Sequence, residues 1–432
     1  MFLGQLLLCL RDMFTFTLHV FGIFLMELYV YKLLAALFGV RVIYCIDWGG
    51  KIEMKKIIKY LICLGMALAC SVCVGAEEKE LEDRDILAKN AVVIDGTTGR
   101  ILYGKNSEEK AAMASTTKIM TCIVALENSK MDSIAEVSDR AVKMPKVHMG
   151  IRKGEKYYMK DLLYAMMLES YNDVAVCVAE NVAGSVENFA KLMNKKAKEI
   201  GAYNTNFVTP NGLDAANHYS TAYDMAIIGA YAVKNKDFLK ITNSKSYSFS
   251  DVEKKRNFTV SNKDAFLTMD NNAIGIKTGF TGKAGYCFVG AVNYSGRVFV
   301  SAVLGCGWPP NKSYKWKDTG TLMKYAKENY DFKELLEKDK DINVKIEHGT
   351  KEKINACVMG ESNLLIGDKE KYTTKTQINY KFPIKVNDKI GKVDLYIQNK
   401  LVQSRKIVSK DNVEEYNYRY CIKKAFDYFV FQ

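Results

Sequence analysis

With 432 residues, 48% of them hydrophobic and 26% charged, the chain has room for two folded units and targeting segments. It can bury a sizeable core, and it shows neither internal repeats nor low-complexity linkers. Its formal charge of +13 favours anionic surfaces as partners.

Residues 1–53 are apolar and aromatic (Phe14, Phe16, Phe21, Phe24, Tyr29, Tyr31) but interrupted by Arg11, Asp12, Glu27, Lys32 and Arg41. Two readings stand for this extension, an extra membrane segment or an upstream mis-start. Translation is expected to begin at Met54, because Trp48-Gly49-Gly50-Lys51 must be encoded by a G-rich purine stretch just ahead of it. Residues 54–76 carry the three parts of a secretory signal peptide. Met54-Lys55-Lys56 opens it, Tyr60 to Val74 is its apolar run, and Val74-Gly75-Ala76 supplies the small residues for cleavage. That run is short of the roughly 20 residues a membrane span needs. A lipoprotein signal at Cys70 has an indifferent lead-in, Ala67-Leu68-Ala69. The remainder is expected outside the cytoplasm, with a net charge of +10 that draws it to phospholipid or wall polymers rather than nucleic acid. Its six cysteines (Cys122, Cys177, Cys287, Cys306, Cys357, Cys421) have no close pairs and read mostly as buried apolar residues. His148, His218 and His348 are far apart, so no metal or other cofactor is implied.

A first domain is expected over 77–333. Ala91 to Asp95, a turn at Gly96-Thr97-Thr98-Gly99, and Arg100 to Tyr103 predict a β-hairpin. After Ser115, the crowding of Ile119, Met120, Ile123, Val124 and Leu126 predicts a buried helix. Asp161 to Val182 reads as helix broken near Ser170, and further helices are expected at Val186 to Ile200 and Thr221 to Val233. The last opens with a capping-box pattern, Thr221 to Asp224. Tyr286 to Asn293 and Arg297 to Leu304, joined at Ser295-Gly296, predict paired strands. The fold class is α/β, with the early hairpin joining the late strands in one antiparallel sheet beside a helical block.

Glu334 to Asp341 reads as a charged, helix-favouring connector. Over 342–410 the pattern changes to period two, as in Lys389 to Ile397, and predicts a small all-β domain. From about Val413 the spacing is helical again. Tyr418, Cys421, Ile422, Ala425, Phe426 and Phe429 share one face, opposite Lys423, Lys424 and Asp427. The segment 411–432 is therefore expected to lie in a membrane interface, the alternative being a helix packed on its own domain.

Three strings carry the chemistry: Ser115-Thr116-Thr117-Lys118, Ser170-Tyr171-Asn172 and Lys277-Thr278-Gly279. A second Ser-x-x-Lys, Ser107 to Lys110, lies in a charged stretch, whereas Ser115 opens a buried helix and shares a face with Lys118 one turn on. A serine hydroxyl needs a base to take its proton. Lysine serves only when neutral, and burial together with a second cation, for which Lys277 is the candidate, lowers its pKa. The helix N-terminus also offers N–H groups to an oxyanion. Ser170 would relay a proton to a leaving amine and Asn172 hold a substrate amide, unless the string is merely a helix break. Lys277 and Thr278 would bind a carboxylate, with Gly279 bringing the backbone close to the ligand, although this string alone would equally suit a turn.

The set resembles the signature of penicillin-binding serine acyltransferases. Ala114 to Thr121, Thr209-Pro210-Asn211-Gly212-Leu213-Asp214, His218 to Met225 and Gly275 to Thr281 narrow the resemblance to low-molecular-mass D-alanyl-D-alanine carboxypeptidases. It extends from about Lys89 to the C-terminus, including Phe382-Pro383-Ile384 through Gly391. The resemblance implies a penicillin-binding/β-lactamase-like transpeptidase fold, followed by a β-domain and a surface-anchoring helix. It also implies Ser115 as nucleophile, Lys118 as base, N–H groups of Ser115 and Phe280 as oxyanion hole, and Lys277 and Thr278 on the terminal carboxylate of a peptidoglycan stem pentapeptide. β-Lactams would be trapped as acyl-enzymes. Two departures stand out, Tyr171 where the family often has glycine and Phe280 where it often has histidine. The alternatives are a penicillin-binding sensor or scaffold with little turnover and a class A β-lactamase. The lactamase needs a deacylating glutamate, and residues 201–252 contain none.

Overall fold

A computed structural model of the chain describes residues 81–430. The extension at 1–53 and the signal peptide at 54–76 lie outside the described residues. The central sheet has five antiparallel strands, β1 (Asn90–Asp95), β2 (Ile101–Lys105), β3 (Ala273–Thr281), β4 (Gly285–Tyr294) and β5 (Arg297–Leu304), in the order β2-β1-β5-β4-β3. The expected hairpin does join the late strands, with Val92 opposite Ala302. Its turn is closed by Asp95, whose carboxylate accepts from Thr97 N–H at 2.9 Å and the Thr98 hydroxyl at 2.6 Å. Gly99, at φ +75°, takes the left-handed position that such a turn requires.

One face of the sheet is covered by a helical block. α1 (Lys118–Asn128), α2 (Met159–Glu169), α3 (Asn172–Ala183), α4 (Val186–Glu199) and α5 (Ala222–Ala232) pool their apolar residues with Val289 and Val300 of the sheet. α1 is buried from Lys118 through Ala125, as its crowded apolar residues predict. Thr221 caps α5 by accepting from Asp224 N–H, while the Asp224 carboxylate turns to Asn204 N–H and the Thr205 hydroxyl, each at 2.7 Å. The opposite face packs on α6 (Tyr314–Asn329), where Phe288, Phe299, Leu322 and Met323 form a second core. Among the described residues, five cysteines are free and buried and Cys421 is free and exposed.

The segment expected as a helix-favouring connector, 334–341, is not helical: it runs from the last residue of one strand through a bend and a turn, with Asp339 at φ +48°, into the first residues of the next. β6 (Asp331–Glu334) pairs with β9 (Asn363–Ile366), and β7 (Lys340–Lys345) begins one turn later. Strand pairing takes both ends of the segment, Glu334 opposite Asn363 and Lys340-Asp341 opposite Val358-Cys357, which leaves between them little more than the length of one helical turn. β7, β8 (Lys353–Val358), β10 (Tyr372–Ile378), β11 (Lys389–Ile397) and β12 (Lys400–Ser409) form a second antiparallel sheet in the order β7-β8-β12-β11-β10. Arg100 joins this part to the first sheet, pairing with Glu370 at 2.5 Å and donating to the Leu365 carbonyl. Val413, read from sequence as the start of the terminal helix, belongs to the β-domain core and exchanges backbone hydrogen bonds with Ile384. The helix itself, α7 (Tyr418–Val430), begins later and buries none of its residues. No helix among the described residues is long and apolar enough to cross a membrane.

Candidate active site

Ser115 sits in a short 3-10 turn, Ala114–Thr117, that leads directly into α1. The preceding Ala114 is held at φ +48°, a left-handed conformation that costs a non-glycine residue on the order of 1 kcal/mol. One turn on, Lys118 is fully buried, and its Nζ donates to Ser115 Oγ at 2.9 Å, Asn172 Oδ1 at 2.9 Å and the Asn211 carbonyl at 2.6 Å. Burial pushes the amine well below its ordinary pKa, Lys277 pushes it further down, and Asp173 opposes them. A neutral amine has two N–H donors and one lone pair. Asn172 Oδ1 and the Asn211 carbonyl can only accept, so they take both donors and leave the lone pair for the serine proton.

The α2–α3 break brings the second string to this point. Ser170 caps α2 at φ +69°, and α3 restarts at Asn172 with its first turn facing Lys118. The Ser170 hydroxyl is buried without a hydrogen-bond partner. A buried, unpaired hydroxyl in a strained conformation is costly and marks a place where a ligand supplies the missing partner. Asn172, expected to hold a substrate amide, has both ends engaged within the protein, since its Nδ2 donates to the Pro145 carbonyl at 3.2 Å.

Lys277, Thr278, Gly279 and Phe280 lie on β3, an edge strand of the central sheet. Lys277 is 2% exposed. Burial lowers its pKa to about 8, Asp264 and Glu169 act to raise it, and Lys315 acts with burial. Thr278 is half-buried, whereas Phe280 is exposed and tilts against Tyr286 at 4.7 Å between ring centroids. Gly279, expected to bring the backbone close to a ligand, is needed first for an internal contact. A Cβ there would stand 2.9 Å from Ser115 N and 3.0 Å from Thr116 N. The edge strand is thereby pressed against the turn that carries Ser115.

The competing Ser107 to Lys110 string lies away from these groups: Lys110 is exposed and its Nζ stacks over the Tyr219 ring at 4.3 Å. Sequence reasoning singled out no role for Asn211, Gly212, His218 or Asp173. Gly212, at φ +83°, allows its loop to touch the nucleophile turn, since a Cβ would fall 1.9 Å from the Ala114 carbonyl oxygen. His218 supports the same loop: its Nδ1 accepts from Val208 N–H at 3.0 Å and its Nε2 meets the Thr117 hydroxyl at 3.1 Å. Burial lowers the His218 pKa to about 4 and keeps the ring neutral. The Asn211-Gly212 pair was a visible turn signal; what it could not show was a carbonyl aimed at Lys118.

A half-buried hydroxyl beside a buried amine whose pKa is held well below its ordinary value, at the junction of a helical block and an antiparallel sheet, is the arrangement of serine acyl-transfer enzymes. Residues 76–307 match the family model described as D-alanyl-D-alanine carboxypeptidase, and residues 330–415 match that of the penicillin-binding protein 5 C-terminal domain. The chain belongs to the D-alanyl-D-alanine carboxypeptidase family of serine peptidases. It is 29% identical over 387 residues to D-alanyl-D-alanine carboxypeptidase DacF of Bacillus subtilis, covering 86% of this chain and 98% of that one. Among solved structures, it resembles penicillin binding protein 5 from Haemophilus influenzae with a TM-score of 0.65 and 27% identity, over 78% of this chain and 100% of the other. A mutant of the Streptomyces K15 DD-transpeptidase matches 56% of this chain and 97% of its own, with a TM-score of 0.52 and 28% identity.

Proposed function

We propose that this protein removes the terminal D-alanine from peptidoglycan stem pentapeptides through a Ser115 acyl-enzyme. The observation that carries the reading is the fully buried Lys118 amine, bonded at once to Ser115, Asn172 and Asn211. Lys118 takes the proton of Ser115 as its Oγ attacks the carbonyl between the two D-alanines. N–H groups of Ser115 and Phe280 stabilise the oxyanion, and Ser170 passes the proton to the leaving amine. Lys277 and Thr278 hold the terminal carboxylate, and the free edge of β3 lets the stem peptide add as a further strand. Water then releases the acyl group, and β-lactams acylate the same serine.

The protein works outside the cytoplasm, exported by the 54–76 signal peptide and seated peripherally on the membrane through α7. The support for that seat is an amphipathic helix whose Ile422, Phe426 and Phe429 are all at least 50% exposed. A class A β-lactamase lacks support, because 201–252 offers no glutamate for deacylation.

The test is to incubate the purified protein with a pentapeptide ending in D-Ala-D-Ala and follow free D-alanine. Release that disappears in Ser115→Ala is expected. Labelling by a fluorescent penicillin without any release would reject the carboxypeptidase and favour a penicillin-binding sensor.

A further inference from the structure

The loop over 143–151 runs across the N-terminal end of α3, and its contacts finish on the two residues that hold Lys118. The Val147 carbonyl accepts from Asn172 N–H at 2.7 Å, the Pro145 carbonyl accepts from Asn172 Nδ2 at 3.2 Å, and Met144 Sδ accepts from Asn211 Nδ2 at 3.6 Å. The Pro145 contact decides what Lys118 meets. A side-chain amide has a donor end and an acceptor end, so fixing Nδ2 on a carbonyl turns Oδ1 toward the amine. With the amide reversed, an NH2 would face the Lys118 N–H groups and compete for the lone pair that should serve Ser115.

The loop has little of its own to hold it there. Lys143, Pro145, Lys146, Val147 and His148 are exposed. The anchor is Asp173, 1% exposed, whose carboxylate accepts from Met149 N–H at 2.9 Å, Gly150 N–H at 2.8 Å and Ile151 N–H at 3.3 Å. The same carboxylate accepts from Val174 N–H at 2.9 Å, so it ties the loop to the first turn of α3. Charged acceptors make hydrogen bonds of roughly twice the strength of neutral ones, and three loop N–H groups share this one.

We propose that Asp173 is a positioning residue for the acyl-transfer reaction, clamping the 143–151 loop so that the Asn172 amide keeps its acceptor end on Lys118. The inference rests on the reading of Ser115 and Lys118 as nucleophile and base. Asp173 also acts through its charge. Lys118 faces Lys277 from β3, which favours the neutral amine, and Asp173 from α3, which favours the ammonium. The field of Asp173 reaches Tyr171 and Cys177 as well. Asp173→Asn therefore removes the clamp and, separately, lowers the pH at which Lys118 becomes neutral.

The experiment measures acylation of the full chain by a fluorescent penicillin as a function of pH, with thermal melts to confirm folding. Asp173→Asn should acylate on the order of 10²-fold more slowly, the scale of a misplacement of about 1 Å, with the acid limb of its profile moved to lower pH. Gly150→Ala meets no atom within 4 Å but burdens a position at φ +75°. It should slow acylation and leave the limb in place. Asp173→Glu should recover part of the rate and all of the wild-type limb. A folded Asp173→Asn with wild-type rate and limb overturns the proposal, as does a slowed variant whose limb stays put. If Asp173→Asn does not fold, a folded Gly150→Ala acylating at the wild-type rate overturns it. If instead the wild type fails to label, or Ser115→Ala still labels, the underlying reading of the site has failed.

Discussion

Lys118 and Lys277 lie at 0% and 2% exposure, whereas Phe426 and Phe429 of α7 stand at 66% and 81%. The two regions thus break the ordinary partition of side chains in opposite directions. Around Ser115 the burial of charge is answered inside the chain. Lys118 finds its partners within the chain, in Ser115, Asn172 and the Asn211 carbonyl, and burial and Lys277 both disfavour its charged form. Buried charge in the β-domain has a plainer role. There Arg405 donates to the carbonyls of Met359 at 2.9 Å, Val358 at 3.0 Å and Glu337 at 3.2 Å, and simply satisfies backbone. α7 has no such answer within the described residues. Its aromatics stay exposed, and the proposed membrane seat would give them a partner outside the chain.

The sharpest way to break this contrast is Lys118→Ala. If the buried amine is the base, acylation by a penicillin should fall by about 10³-fold, the middle of the range for losing a general base, while α7 keeps its membrane affinity. Stopped-flow labelling kinetics measure it, and a near wild-type rate would show that the buried charge serves only the fold.

Next in size is Gly279→Ala. The added Cβ would press on backbone nitrogens of Ser115 and Thr116 at 2.9 and 3.0 Å, neither of which can swing aside. Moving the nucleophile turn by a fraction of an ångström should cost on the order of 10²-fold in acylation. Gly282→Ala, with no atom within 4 Å, is the control and should acylate as the wild type does.

The pH profile separates the two buried lysines. As the proposed base, Lys118 would work only when neutral, so activity should fall on the acid side as the amine regains its proton. As the proposed holder of the substrate carboxylate, Lys277 would work only when charged, and burial lowers its pKa to about 8. Above that pH its cationic fraction drops about tenfold per unit, so KM for a pentapeptide should climb while kcat holds. A KM flat through pH 8 to 10 would remove Lys277 from carboxylate binding.

The same contrast explains what the sequence could and could not disclose. Period and turn chemistry made β1, β2, β4, β5 and α1 to α5 legible, because each depends on local spacing, whereas α6 was not among the expected helices. Ser115 could be chosen over Ser107 because the residues after it were apolar enough to predict burial. The connector failed because both of its ends are claimed by strand pairing, Glu334 opposite Asn363 and Lys340 opposite Val358, partners distant in sequence. Val413 was misplaced for the same reason, its partner Ile384 lying on a distant bend. In the site, the side chains that announce acyl transfer were readable, but the groups that aim them were not. The Asn211 and Pro145 carbonyls are backbone atoms, which every residue carries, and only the fold brings them to Lys118 and Asn172.

The smallest effect on chemistry, and the most telling for attachment, is expected from the tail. Deletion before Val413 would be a poor test, because Val413 is core and Tyr416 N–H bonds the His348 carbonyl at 2.7 Å. Stopping after Asn417 removes α7 alone, none of whose residues is buried. The truncated protein should acylate as the full chain does and leave the membrane fraction. Phe426→Glu should act in the same direction, since it puts a charge among the residues that would enter the acyl boundary. Arg419, Lys423 and Lys424 add electrostatic attraction of about 1 kcal/mol each near an anionic surface. Binding of the full chain to vesicles should therefore weaken with salt and with removal of anionic lipid. A truncated protein still bound to such vesicles would move the attachment to the basic surface of the folded domains and leave the exposed face of α7 without a role.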